Sequence, residues 1–389
     1  MTRPHIGFYV HYHGLGHKQR TEAILAHLSA PATVLSSRTV QQNWNRALVR
    51  EVVDLACDND DVHQESLECA DRVPALHFAP LWCDNITRRV RQYTQWLDTA
   101  RPDLMVVDVS AEISLLTRLA SIPQIVMRQH GRRDDPAHLN AYAAAVRLLA
   151  PFPKIMEDAI TPGWVQDKTV YLDGFCNHAS NPAAAPNRSE QVHRFEQVDR
   201  SEQVDRSEQV EQFERPTIVV LFGRGGQGDP QQRLIEAARS VPDYQWVVVG
   251  KEGPSDQTAL PANLRFAGWV DNVSAYLHAA DVVVTAAGHN SVMEAGRARA
   301  KFIAIAEPRP FEEQQRKAAV LQQQRLAIGL EAWPPAEQWP ALIDQANQLD
   351  PKQWDAIYAG DGAAQAAACL DRWAAWSRQQ RLQGTRIQL

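Results

Sequence analysis

The chain is 389 residues long, 44% apolar and 22% charged, which excludes wholesale disorder and, at roughly 150 residues per domain, predicts two or three domains. Forty Lys and Arg against forty-six Asp and Glu leave a formal charge of −6, so no global basic field exists to hold nucleic acid or an anionic membrane. The longest apolar runs fall far short of the roughly 18 residues that cross a bilayer, and the five cysteines form no CxxC pair, which fits reduced thiols in a cytoplasm and argues against structural zinc.

The opening stretch MTRPHIGFYVHYHG has too short an apolar core and no small-residue cleavage site for a signal peptide, so it reads as a first strand, His5–His11. Gly14 and Gly16 then let the backbone turn tightly beneath a ligand. His17 follows at the start of a helix, either as a base with a neutral acceptor nitrogen favoured by the helix N-terminus or as a group that only bonds the turn. His11 and His13, at i,i+2, share one strand face as paired metal ligands do, with His130 as a further candidate. The rest of this half alternates strands at Thr33–Ser36, Glu51–Leu55, Leu104–Val107 and Gln124–Met127 with helical segments such as Gly16–Ser29, Asn85–Ala100 and Glu112–Ser121. Asp108 follows the apolar strand Leu104–Val107, on the same side as His17. A carboxylate there orients the imidazole, or alternatively caps the next helix, unless Ser110 takes the cap.

From Arg188 to Arg215 a six-residue unit repeats (RSEQVH, RFEQVD, RSEQVD, RSEQVE), with a single Val per unit. Six steps of about 100° rotate that Val by about 240° each time, so it makes no continuous helical face and buries no core. The segment reads as a solvated linker or, alternatively, a partner-docking arm. It separates an amino-terminal unit, residues 1–175, from a second alternating unit, 216–361, with 176–215 as connection. The second unit offers strands Thr217–Phe222, Gln245–Val249, Leu264–Phe266, Asp281–Thr285 and Phe302–Ile305. The fold class is therefore α/β, two Rossmann-like domains whose parallel sheets face across a cleft, with residues 362–389 supplying a helix that crosses back over the boundary.

Gly223-Arg224-Gly225-Gly226-Gln227-Gly228 follows a strand and satisfies the dinucleotide spacing G-x-G-x-x-G, with Glu252 as an acid for an oxidoreductase reading. The less committed reading is a loop whose amides face a phosphate paired by Arg224. The densest constellation follows. Gly288, His289, Asn290 and Ser291 stand where a helix begins after a strand, and bare amides there attract a diphosphate. Glu294 one turn on is suited to ribose hydroxyls, and Glu313 with Gln314 after the next strand to sugar hydroxyls. Ordinary alternatives are a Ser291 N-cap, a Glu294 favoured by the helix dipole in the first turn, and a solvated helix start at Glu313 and Gln314.

The run GWVDNVSAYLHAADVVVTAAGHNSVMEAG, followed by PFEEQQRKA, resembles the donor-binding domain of GT-B fold nucleotide-sugar glycosyltransferases of the MurG-like and UDP-glycosyltransferase groups, and HGLGHKQR resembles their amino-terminal glycine loop and histidine. The resemblance implies a GT-B architecture in which the backbone at Val270 holds the uracil and Gly288 to Ser291 the diphosphate. It implies Glu294 on the ribose, Glu313 and Gln314 on the transferred sugar, His17 as base and Asp108 as its support. Ala286 and His289 stand where plant members carry His and Trp, so the diphosphate contact falls to His289 or to backbone alone.

The resulting expectation is an inverting, metal-independent hexosyltransferase with a nucleotide-diphosphate sugar, UDP first, as substrate and no cofactor. Its acceptor is a lipid or small molecule, and Arg128, Arg132 and Arg133 hint at an anionic one. A cytoplasmic location, with peripheral contact at the inner membrane face left open, goes with it. A sugar-nucleotide epimerase or hydrolase of the same fold, and a non-catalytic sugar-nucleotide-binding protein, remain as alternatives.

Overall fold

The computed structural model describes residues 3–14, 16–70, 73–176, 213–221, 231–254, 260–270 and 272–383, with the side chains of 68–70 left out. The glycine loop with Gly223, Arg224 and Gly225, and nearly all of the expected connection, lie outside the described residues.

Two sheets organise the molecule. The first contains β1 (Ile6–Tyr9), β2 (Ala32–Ser36), β3 (Val49–Asp54), β4 (Leu104–Asp108), β5 (Gln124–Met127), β6 (Arg147–Ala150) and β7 (Thr169–Tyr171) in the order 3-2-1-4-5-6-7. The second contains β8 (Thr217–Leu221), β9 (Gln245–Val249), β10 (Leu264–Gly268), β11 (Val282–Ala286), β12 (Phe302–Ile305) and β13 (Ile328–Leu330) in the order 10-9-8-11-12-13. Every strand pairing is parallel. Parallel sheets are covered on both faces, and β2, β4, β5, β8 and β12 are accordingly buried at every position. Three short strands, β6, β7 and β13, extend the sheets beyond what the sequence pattern predicts. At three or four residues they are too brief to carry a periodic signal.

In both sheets the strand order reverses beside the first strand, between β1 and β4 and between β8 and β11. A crevice opens at such a switch point, at the carboxyl ends of the strands, because the crossover helices leave toward opposite faces. The helices that build the site are α1 (Gly16–Leu25), α2 (Ala111–Leu119), α3 (Pro136–Ala144), α4 (His289–Arg297) and α5 (Glu313–Gln323), and α6 (Gly362–Gln383) closes the chain. α6 returns to the first sheet. Its Ala363, Ala366, Ala367, Leu370 and Ala374 share a buried cluster with Ile6, Phe8, Ile24, Leu104 and Ile125. Asp371 accepts from the backbone N–H and hydroxyl of Ser29, and Arg378 and Arg381 pair with the buried Asp103 at 3.1 and 2.6 Å.

Leu370 is fully buried in this cluster. Leu370→Ala is expected to lower stability by about 2–5 kcal/mol, read as a fall in the urea midpoint at unchanged slope.

Candidate functional site

β1 and β4 are neighbours, so the residues that follow them emerge side by side. His17, the second residue of α1, places Nδ1 2.6 Å from Oδ2 of Asp108, the last residue of β4. The cap alternative for Asp108 is resolved by the next two residues. Val109 takes a left-handed φ of 58°, and Ser110 beyond it accepts the backbone N–H of Ile113 as the cap of α2. The carboxylate is thereby left for other work.

Arg20, one turn after His17, donates to the other Asp108 oxygen at 2.6 Å, and both side chains are only 4% exposed. Burial raises the Asp108 pKa, but Arg20 first and His17 second outweigh it and hold the carboxyl well below the usual carboxylate range. An ionised Asp108 can only accept, so His17 Nδ1 carries the proton toward it, with Arg20 Nη2 3.2 Å from the same nitrogen. The His17 side chain is 18% exposed, enough to be reached. Beside it, burial pushes the His11 pKa down to about 4, and the rings of His11 and His13 lie 5.2 Å apart, His11 Nδ1 accepting the His13 backbone N–H.

The second sheet presents a matching edge. Gly288 is the N-cap of α4, with extended dihedrals and no side-chain cap for the first-turn amides. Ser291, expected as an alternative cap, is the third helical residue and does not serve. Glu294 is not in the first turn either, which contains no acid; it is the sixth residue of α4, half-buried, and its charge acts on Tyr358. Asn290 donates to Gln19 Oε1 across the lobes at 2.9 Å, and a Cβ at Gly16 would sit 3.4 Å from its amide nitrogen. The starts of α1 and α4 therefore face one another. His289 stays neutral, driven well below the ordinary histidine range by burial and by Lys317, Arg20, His130 and His17. Gln314 is buried with its oxygen on the Glu307 N–H at 2.9 Å and its amide nitrogen toward Gly288. Glu313 lies 3.7 Å from Arg133, and Val270 packs on the core below, half-buried.

The lobes also meet at Phe311, whose ring packs on His77 and His138. The Arg132 N–H donates to the Phe311 carbonyl at 2.7 Å, Arg133 lies over the Phe311 ring, and Arg316 holds buried Asp158 with two bonds of 2.7 Å. Of the three arginines expected near an acceptor, Arg128 is bound to Glu157 at 2.7 and 3.0 Å, while Arg132 and Arg133 lie 3.5 and 3.7 Å from Glu312 and Glu313.

Among the described residues one group could chelate a cation, His77 with Asp135 and His138, and it contains none of His11, His13 or His130. Arg133 donates to His138 Nε2, which leaves Nδ1 with the proton it gives Asp135, so hydrogen bonding alone accounts for this group. His130 donates from Nε2 to the Met156 carbonyl at 2.8 Å. Arg20, Arg316 and Lys317 stand among these residues and were given no role by the sequence reading. Only Arg20 carried a usable signal, three residues from His17 on the same helix face.

Two facing all-parallel sheets with a returning terminal helix define the GT-B fold, the architecture of nucleotide-sugar glycosyltransferases. Within it, residues 243–334 match the glycosyltransferase family 28 C-terminal domain. The structure is similar to the glycotransferase of kitacinnamycin, with a TM-score of 0.65 and 17% identity over 96% of this chain and 100% of that one. It is also similar to CalG4, the calicheamicin glycosyltransferase, with a TM-score of 0.63 and 15% identity over 96% and 99% of the two chains. An uncharacterized glycosyltransferase of Methanosarcina acetivorans is 31% identical over 85 residues, 21% of this chain and 22% of that protein. The match thus spans about a fifth of the curated relatives' length. Among the described residues no helix is long and apolar enough to cross a membrane.

Gly131 adopts a φ of +125°, and a Cβ there would lie 2.7 Å from the Phe311 carbonyl oxygen. Gly131→Ala is expected to cost about 1–3 kcal/mol and to loosen the interlobe contact. A lower melting temperature with a larger radius of gyration in X-ray scattering checks it.

Proposed function

We propose that the chain is an inverting glycosyltransferase that moves a sugar from a nucleoside diphosphate, UDP first, to an acceptor hydroxyl. The single observation that carries this reading is the His17–Asp108 pair at the start of α1, which the Asn290–Gln19 bond brings up to the uncapped start of α4 across the cleft. In this reading the acceptor O–H gives its proton to His17 Nε2. Its oxygen attacks the anomeric carbon from the side opposite the diphosphate, and the bond to the diphosphate breaks with its electron pair on the leaving oxygen. Asp108 stabilises the imidazolium through the Nδ1–H bond, and such a base contributes about 10²–10⁴ in rate. The amides of Gly288 to Ser291 and the dipole of α4 receive the leaving charge, so the step requires no metal in principle. Val270, Glu294, Glu313 and Gln314 complete the donor site in this reading; Gly223, Arg224 and Gly225, expected there from the sequence, lie outside the described residues. Asn290 and Glu313, held by Gln19 and Arg133 in the present arrangement, would exchange those partners for ligand on binding.

The family 28 match covers this donor half. A structural neighbour solved with thymidine diphosphate supports a nucleoside diphosphate as the ligand class, and others solved with spinosyn aglycone and with quercetin support an aglycone acceptor. An apolar acceptor also suits the exposed Leu67, Leu81 and Trp82, which flank in sequence His77 at the lobe boundary.

His17→Ala is expected to lower turnover at least about a hundredfold while leaving nucleoside-diphosphate affinity intact; unchanged turnover would remove His17 from the mechanism. A thermal-shift screen of UDP, TDP, GDP and NAD should give its largest shift with UDP. A ligand at a hundred times its Kd adds about 2.7 kcal/mol of stability, so the ranking is readable. A larger TDP shift would reassign the base, and an NAD shift alone would restore the oxidoreductase alternative. Rapid conversion of a UDP-sugar without acceptor would favour an epimerase or hydrolase.

A further inference from the structure

Lys317 lies on α5 one turn beyond Glu313 and is only 1% exposed. Its ammonium makes no hydrogen bond or close ion pair among the described residues, whereas each neighbouring arginine has an oxygen partner. Arg20 has Asp108, Arg133 has Glu313 and the His130 carbonyl, and Arg316 has Asp158. Three cations, Arg20, Arg133 and Lys317, thus stand against two carboxylates, Asp108 and Glu313, and one positive charge is left over.

Donors nearby are also unsatisfied: Arg20 Nε is a buried N–H without a hydrogen-bond partner, and His289 Nε2 is a buried ring nitrogen without one. An unsatisfied buried polar group costs about 1–3 kcal/mol, which a well-placed ligand recovers. Gln314, three residues before Lys317 on the same face of α5, turns its amide nitrogen toward Gly288, so the buried face of α5 that carries Lys317 looks at the start of α4, and the lysine charge lowers the pKa of both His289 and His130. Burial pushes the Lys317 pKa down to about 8; Glu313 raises it, while Arg20 and Arg133 lower it further. A buried lysine in such company gains most from an anion.

We propose that Lys317 binds the diphosphate of the donor and offsets the negative charge that grows on it as the sugar departs. This rests on the function proposed above and adds a cation from α5 to the amides of α4. Nucleoside-diphosphate affinity should then fall as pH rises above about 8, because the free lysine loses its proton there while bound phosphate would retain it. Glu313 from α5, Arg20 from α1, Arg133 and His130 from the segment after β5, and His289 from α4 are the charged or titratable groups facing it.

The test is calorimetric titration of the full chain with UDP and with UMP, for wild type, Lys317→Met and Lys317→Arg, between pH 7 and 9.5, with melting temperatures alongside. Lys317→Met should weaken UDP roughly 10- to 100-fold and UMP little, and should flatten the pH dependence. Lys317→Arg should retain most of the affinity. Melting of ligand-free Lys317→Met should be unchanged or raised, since an apolar side chain replaces a buried charge. Unaltered UDP affinity in Lys317→Met overturns the proposal while leaving the transferase reading in place. A lowered melting temperature with equal loss of UDP and UMP binding assigns Lys317 a structural role and also overturns it. Failure of wild type to bind UDP, with TDP and GDP tried in its place, sinks the underlying reading and this inference together.

Discussion

The constraint on which this architecture turns is electrostatic: two helix N-termini point at one another. α1 and α4 begin on opposite sides of the cleft, close enough for Asn290 to bond Gln19, and each brings the positive end of its dipole. Around them stand Arg20, Lys317 and three histidines, with buried Asp108 as the counter-charge on the α1 side. Like charges brought together in this way repel one another, and a polyanion would offset the repulsion. The protein limits the repulsion by keeping His11, His130 and His289 neutral through burial.

The same arrangement separates two tasks. Asp108 is committed to Arg20 and His17 by short bonds, so the histidine ring is fixed before any ligand arrives. The facing edge is adaptable. Asn290 and Glu313 are held by single contacts with the other lobe, and Gln314 has its oxygen tied while its amide nitrogen looks toward Gly288. Rigid chemistry on one sheet and exchangeable contacts on the other fit a site that must close over a substrate and then release it.

Much of this was legible in the sequence. Apolar strands alternating with helices announced two parallel sheets, and the residues placed at strand ends, His17, Asp108 and Gly288, fall beside the switch points because β1, β4, β8 and β11 are the strands at which the order reverses. The cap ambiguity at Asp108 was not legible, since it depends on the left-handed Val109 that hands the cap to Ser110. Arg128, Arg132 and Arg133 looked like a basic cluster because their partners Glu157, Glu312 and Glu313 lie far along the chain. Lys317 escaped for the same reason: on its own helix it is one polar residue among several, and only tertiary packing buries it.

The route of α6 carries a consequence for how the chain matures. The core of the first lobe includes Leu370 and Ala374, so residues at the start of the chain wait for residues near position 370 before their apolar surface is fully covered. During synthesis the second lobe has all of its strands before the first lobe has its last helix, which reverses the usual order in which amino-terminal domains finish first. An early-born sheet with one face incompletely clothed is the stage at which chaperones would have the most to hold.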